Sequence, residues 1–236
     1  MESQRGTSVT SQAKKTDPTA QVSLIQDESV ISYGSCGIPY VIEGVVESFE
    51  KLIIRSPQVF KEKQQIDIIT NTKATKIDPK KKIVYATNTN SGKQVSFDYD
   101  SLVIATGARA IIPPIKGIDQ QGVFTVRSYS DGVKLRESTK ESKSCILVGA
   151  GLVGLEMAEA YKKNGLDVTI IEMADRVLPN MLNENFSNIV SSHLKDNGVK
   201  LRLGKKVEEI MTKEDLKVVK TDREKLQVTL CWLVQV

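Results

Sequence analysis

The strongest constraint on this chain is Gly149-Ala150-Gly151-Leu152-Val153-Gly154, a G-x-G-x-x-G set between an apolar run and an amphipathic one. Residues 144–148 (SCILV) read as a buried parallel strand, being short, apolar and closed by glycine. Residues 152–164 carry apolar side chains at helical spacing and stop before Gly165. Glycines at these positions permit the tight turn, let backbone N–H groups reach a pyrophosphate, and allow close helix–strand packing. Glu172 closes the next strand, residues 167–172, about 20 residues on, where a carboxylate accepts from the ribose hydroxyls. A 2′-phosphate would meet Glu172 with like charge, so this pattern predicts NADH rather than NADPH.

The alternation continues with a helix over 183–197, closed by Gly198, and a strand over 199–203. This βαβαβ order predicts an α/β fold with a doubly wound parallel sheet. Residues 207–211 and 216–220 read as further strands. The first half has a polar, helix-like stretch at 7–15, a strand at 21–26, and helical periodicity over 49–63 interrupted by Pro57. Short strands are expected at 66–70, 74–77, 82–87 and 94–97. Residues 99–105 are expected to form a buried strand ending at Thr106-Gly107. Pro113-Pro114, followed by Gly117, marks a linker, so two domains are expected, 1–112 and 113–236.

Composition removes several function classes. The 33 basic and 29 acidic residues leave a net charge of +4, too mild and scattered for a nucleic-acid face. No stretch of about 18 apolar residues is present, which argues against a membrane span. The first residues lack the apolar run of a signal peptide, so a cytoplasmic location is expected. Cys36, Cys145 and Cys231 lie far apart without a CxxC, excluding a disulfide framework and a zinc-finger pattern. His193, the only histidine, falls in an amphipathic stretch and is expected on a helix surface; no metal site is expected. Cys36 sits in a Gly/Ser-rich setting open to a ligand, whereas Cys145 lies inside a buried strand and should be inert.

Ser32-Tyr33-Gly34-Ser35-Cys36-Gly37-Ile38-Pro39-Tyr40 resembles the active-site segment of the single-cysteine pyridine nucleotide-disulfide oxidoreductases. That flavoprotein family includes coenzyme A-disulfide reductases, water-forming NADH oxidases, NADH peroxidases and persulfide reductases. YDSLVIATGARA is similar to its "ATG" strand beside FAD, GAGLVGLEMAEA to its NADH loop, and IIEMADRVLP to the segment that follows. The resemblance implies that hydride passes from NADH to FAD and electrons then pass to sulfur at Cys36. The acceptor is a small-molecule disulfide, persulfide or oxygen species, and the parent protein a homodimer. It assigns Gly149, Gly151, Gly154, Glu156 and Glu172 to the nicotinamide cofactor, and Gly6, Gln26, Ala74, Thr106 and Gly107 to FAD. Lys15 stands where coenzyme A reductases of the family carry a basic residue for a CoA phosphate, with Ser32 and Tyr33 beside the substrate.

The chain also departs from the family. Gly6 matches only the third glycine of the first FAD loop, and Met1 and Ser3 stand where the first two would be. The family's ribose-binding glutamate is Gln26 here. The second FAD motif and the C-terminal dimerisation domain are not found, so the resemblance is to a piece truncated at both ends. Residues 226–236 do not read like the family's next strand, as a shifted reading frame would explain. The alternative function is a non-catalytic dinucleotide-binding fragment.

Overall fold

The structure is a computed structural model and describes residues 2–214 and 216–233. In chain order its elements are α1 (Glu2–Thr16), β1 (Val22–Ile25), α2 (Ile38–Glu43), α3 (Pro57–Gln64), β2 (Ile66–Ile69), β3 (Thr72–Asp78), β4 (Ile83–Asn88) and β5 (Gln94–Asp98). They continue with β6 (Val123–Thr125), α4 (Tyr129–Lys140), β7 (Ser144–Val148), α5 (Leu152–Lys163), β8 (Asp167–Ile171), α6 (Glu184–Asp196) and β9 (Lys200–Arg202). Last come β10 (Val207–Lys213), β11 (Leu216–Thr221), β12 (Lys225–Val228) and β13 (Leu230–Leu233). The chain divides into two units, residues 1–35 with 50–108, and residues 36–49 with 109–236.

In the first unit β1 pairs in parallel with β2, and β3, β4 and β5 form an antiparallel meander. Helix α1 packs so closely on this unit that a Cβ at Gly6 would lie 3.3 Å from Leu24 Cδ1 and 3.9 Å from the Ala105 Cβ. Ile31, Phe60 and Ile66 form the small core. Pro57 does not interrupt a helix as expected but begins one. Its fixed φ and missing N–H suit the first helical position, and Ser56 caps the start by accepting from Val59 N–H.

Residues 99–105 depart from expectation more sharply. They form no strand, and Val103 and Ile104 are 62% and 66% exposed. Apolar, β-branched composition makes a segment fit for a sheet, but a ladder also needs an adjoining edge. Tyr99 N–H still reaches Lys82 O at 3.0 Å, but among the described residues no strand pairs with the rest of the run.

The second unit is the predicted α/β sandwich. Its five-stranded sheet has the order β6-β13-β7-β8-β9, parallel throughout. Cys145, Ile146 and Leu147 of β7, and Val168 and Ile170 of β8, are fully buried, as are Leu135, Met157 and Tyr161 from the covering helices. The aliphatic and methionine side chains among these each contribute about 1.5–3 kcal/mol on burial. Strands β10, β11 and β12 form an antiparallel sheet whose Ile210, Val219 and Val228 pack with Ile146 and Ile171.

The tail behaves contrary to expectation, since β13 lies in register between β6 and β7 (Cys231 beside Val123 and Ile146). Backbone pairing there needs an extended chain of suitable length, and Thr229 fixes the entry by donating its hydroxyl to Ser144 O at 2.7 Å. Residues 234–236 of that expectation lie outside the described residues. Helix α4, which periodicity did not reveal, starts with a reciprocal capping box between Ser128 and Asp131.

Candidate functional site

The sheet register builds the glycine turn. Val148 lies opposite Ile171, so the next residues, Gly149 and Glu172, leave their strands side by side. Gly149 donates its N–H to Ile171 O at 2.8 Å and has φ +111°, a conformation that favours glycine. Gly151 is the N-cap of α5; a Cβ there would meet nothing within 4 Å, and no side chain caps the helix. Gly154 is buried in the first turn of α5. The start of α5 therefore faces open space, with its positive dipole end and backbone N–H groups available to a pyrophosphate.

Glu172 closes this turn from the neighbouring strand. Its carboxylate accepts N–H groups from Ala150 (2.8 Å) and Ala174 (2.8 Å), one on each oxygen. The Ala150 carbonyl in turn accepts from Leu178 N–H at 2.9 Å, and Leu178 has φ +48°. Each carboxylate oxygen keeps lone-pair capacity for a further donor such as a ribose hydroxyl. Arg176, two residues before Leu178, faces Asp175 at 3.3 Å and donates to Pro179 O at 3.4 Å. Glu156 is exposed on α5, two residues after Gly154.

A second feature belongs to the first unit. An open cavity of about 450 Å³ is lined by Ser8, Gln12, Lys15, Ser32 and Arg55, among others. Residues 8, 12 and 15 share one face of α1 by their i, i+4, i+7 spacing. The backbone brings Ser32 beside Arg55, because Ile54 N–H donates to Ser32 O at 2.8 Å. Arg55 is held 5.9 Å from the ring centroid of Phe60. Two cations and several hydroxyls face this space, and among its described lining residues there is no carboxylate. Sequence reasoning named Lys15 and Ser32 but missed Arg55, whose only signal was a basic residue before the Ser-Pro start of α3. Tyr33 is buried and bridges to Ile53 without lining the cavity.

Cys36 is exposed, in a single 3-10 turn at 35–37 that runs into α2. Cys145 is buried in β7, and His193 lies exposed on α6. Gln26 directly follows β1, its backbone donating to Ile69 O and accepting from Thr72 N–H. Ala74 lies on β3 opposite Ala86. Thr106 and Gly107 stand in an exposed, irregular run after residue 101, Gly107 with φ +70°. Among the described residues, no three His, Cys, Asp or Glu side chains gather as a metal site. No helix among them is long and apolar enough to cross a membrane.

A parallel sheet with a glycine turn, a capping-free helix start and an acid at the next strand end defines a dinucleotide-binding α/β protein. Residues 6–234 match the pyridine nucleotide-disulphide oxidoreductase family, and the chain belongs to it. It is 39% identical over 219 residues to an NADH oxidase of Methanocaldococcus jannaschii, covering 92% of this chain and 49% of that protein. It is 34% identical to a CoA-dependent NAD(P)H sulfur oxidoreductase of Pyrococcus abyssi, covering 92% and 48%. The water-forming NADH oxidase from Lactobacillus brevis, solved bound to NADH, superposes with a TM-score of 0.93 at 32% identity, covering 98% of this chain and 51% of that one. The chain thus spans about half the length of these relatives.

Proposed function

We propose that these residues are the NADH-binding and cysteine-bearing part of a flavin-dependent oxidoreductase acting on a coenzyme A disulfide or a CoA-bound persulfide. The observation that carries the acceptor class is the cavity holding Lys15 and Arg55 without a carboxylate, with Ser32 only four residues before the exposed Cys36. A phosphate-bearing thiol matches that chemistry: two cations for the phosphates, hydroxyls and Gln12 for the remaining oxygens. Such a reading also agrees with the M. jannaschii and P. abyssi relatives, one an NADH oxidase and the other CoA-dependent.

In the reaction proposed, the Cys36 thiolate attacks one sulfur of the CoA disulfide. The Cys36–S–S–CoA bond forms, the original disulfide breaks, and one CoA thiolate leaves. Two electrons originating in NADH and one proton then cleave the mixed disulfide, returning the Cys36 thiolate and a second CoA thiol. The glycine turn and Glu172 hold the donor nucleotide; Lys15, Arg55 and Ser32 hold the acceptor. Free thiols at Cys36 and Cys145 suit a reducing, cytoplasmic setting.

The flavin fits this chain less completely. Gly6 supplies the close helix–sheet approach expected of a third loop glycine. Thr106 and Gly107, however, lie in an exposed run with no strand beside it among the described residues, so these residues alone do not form a flavin cradle.

The test is calorimetric titration of CoA into the full chain and into Lys15→Met and Arg55→Met. Binding is expected to weaken about ten-fold in each variant and to fall with added salt. No CoA binding to the unsubstituted chain, or binding by both variants as tight as by the unsubstituted chain, overturns the acceptor assignment.

A further inference from the structure

We infer that Asn164 is a positioning residue for the Cys36 segment, tying the helix that follows the cysteine to the helix that starts at the dinucleotide turn. The inference rests on the NADH and Cys36 assignments proposed above. Residues 36–49 lie, by sequence, in the middle of the first unit, yet they fold with the second. Helix α2 begins two residues after Cys36 and buries Ile38, Val41 and Ile42 while leaving Tyr40 outside.

A six-residue helix has little stability of its own. Its position is therefore set by its neighbours, and these are specific. Asn164, the C-cap of α5, donates from Nδ2 to Ile42 O at 2.8 Å, supplying a donor to a carbonyl in the last turn of α2. The same amide donates to Ala160 O at 2.8 Å, one turn back on its own helix. Only a side chain with two N–H donors at one nitrogen makes both bonds at once.

The preceding residue, Lys163, faces Glu43 at 3.6 Å. On the opposite side α4 closes in, since a Cβ at Gly132 would lie 2.7 Å from Phe49 Cε1 and 3.1 Å from Ile38 Cγ2. The ring of Phe49 meets Tyr129 edge-on at 5.6 Å, and Arg136 donates to Glu47 O at 2.9 Å. Helix α2 is thus wedged between α4 and α5. Helix α5 is about 18 Å long, with the glycine turn at one end and Asn164 at the other. The position of the chain leaving Cys36 is referenced through that rod to the nucleotide turn.

Hydrogen exchange read by mass spectrometry on the full chain tests this. Asn164→Asp keeps the side-chain shape but replaces the donor by an acceptor facing two carbonyl oxygens. Exchange across residues 38–46 is expected to rise about ten-fold or more, with β8 unchanged. Asn164→Ser, which removes the bridge but sets no carboxylate against the two carbonyls, is expected to raise exchange there by a smaller factor. In the unsubstituted chain saturating NADH is expected to slow exchange at 38–46, and Asn164→Asp is expected to abolish that response. Should Asn164→Asp fail to fold, Gly132→Ala presses on Ile38 from the other side and is expected to loosen the same segment. Unchanged exchange at 38–46, an equal rise over β8, or no NADH response in a chain that binds NADH overturns the inference. Failure of NADH to bind overturns the dinucleotide assignment instead, and a separate titration reads that.

Discussion

The carboxylate of Glu172 accepts the backbone N–H of Ala150 at 2.8 Å, across 22 residues of sequence. The acid expected to recognise a ribose is therefore also a brace for the glycine turn. If it braces the turn, removing it loosens the pyrophosphate site as well as the ribose site. Glu172→Gln puts an N–H₂ group against one of two backbone donors and is expected to weaken NADH by about 1–3 kcal/mol. Binding of 2′,3′-dideoxy-ADP, which has no ribose hydroxyls, is expected to weaken by a similar factor. Calorimetry with both ligands separates the roles: loss confined to NADH would mean that Glu172 serves the ribose alone. The unsubstituted chain is expected to bind NADH more tightly than NADPH.

Cys36 and Cys145 differ in access, one exposed and the other at 0% in β7. Native alkylation is expected to modify Cys36 and spare Cys145 until the chain is unfolded. In a full-length, flavin-loaded parent, Cys36→Ser is expected to abolish disulfide turnover and leave NADH-to-flavin hydride transfer nearly intact. Full thiol-dependent activity in that variant would place the chemistry elsewhere.

Tyr161 is fully buried behind β7, and burial, followed by the nearby Cys145, holds its phenol well above its ordinary pKa. The native state keeps this proton at pH values where the unfolded chain releases it. Stability is therefore expected to be insensitive to Tyr161 below about pH 10 and to decline above it, by up to about 1.4 kcal/mol per pH unit. Urea unfolding of the chain and of Tyr161→Phe across this range checks it. The variant is expected to have the flatter alkaline limb.

The exposed run at Val103 and Ile104 has a physical consequence, because apolar β-branched residues without a ladder invite pairing with other chains. Light scattering is expected to show self-association of the chain, reduced in Val103→Lys and Ile104→Lys. A chain purified with excess FAD is expected to lack a stoichiometric flavin band in its visible spectrum. A full band that NADH bleaches would show that residues 2–233 form the cradle after all.

Much of the second unit was legible before any coordinates. The G-x-G-x-x-G turn, its flanking strand and helix, and Glu172 are local patterns separated by one βαβ step, and local periodicity constrains them strongly. The helix ends before Gly165 and Gly198 were readable for the same reason, and both glycines have positive φ. Residues 99–105 show where such reading stops: their composition suits a strand, but strand formation depends on an edge elsewhere in the chain. The tail shows the converse, since residues 230–233 form a central strand through backbone pairing that composition alone did not announce.

By itself, then, the sequence determined the α/β class, the dinucleotide turn with its acid, and the cysteine open to chemistry. Each depends on residues close in the chain or on side-chain type. Only the tertiary structure decided that Arg55 shares a cavity with Lys15 and Ser32, that Glu172 braces Ala150, and that the helix after Cys36 is held by Asn164. These are meetings between segments tens of residues apart. They are governed by strand register and by which helix faces find room to pack, and no periodicity within either segment encodes them.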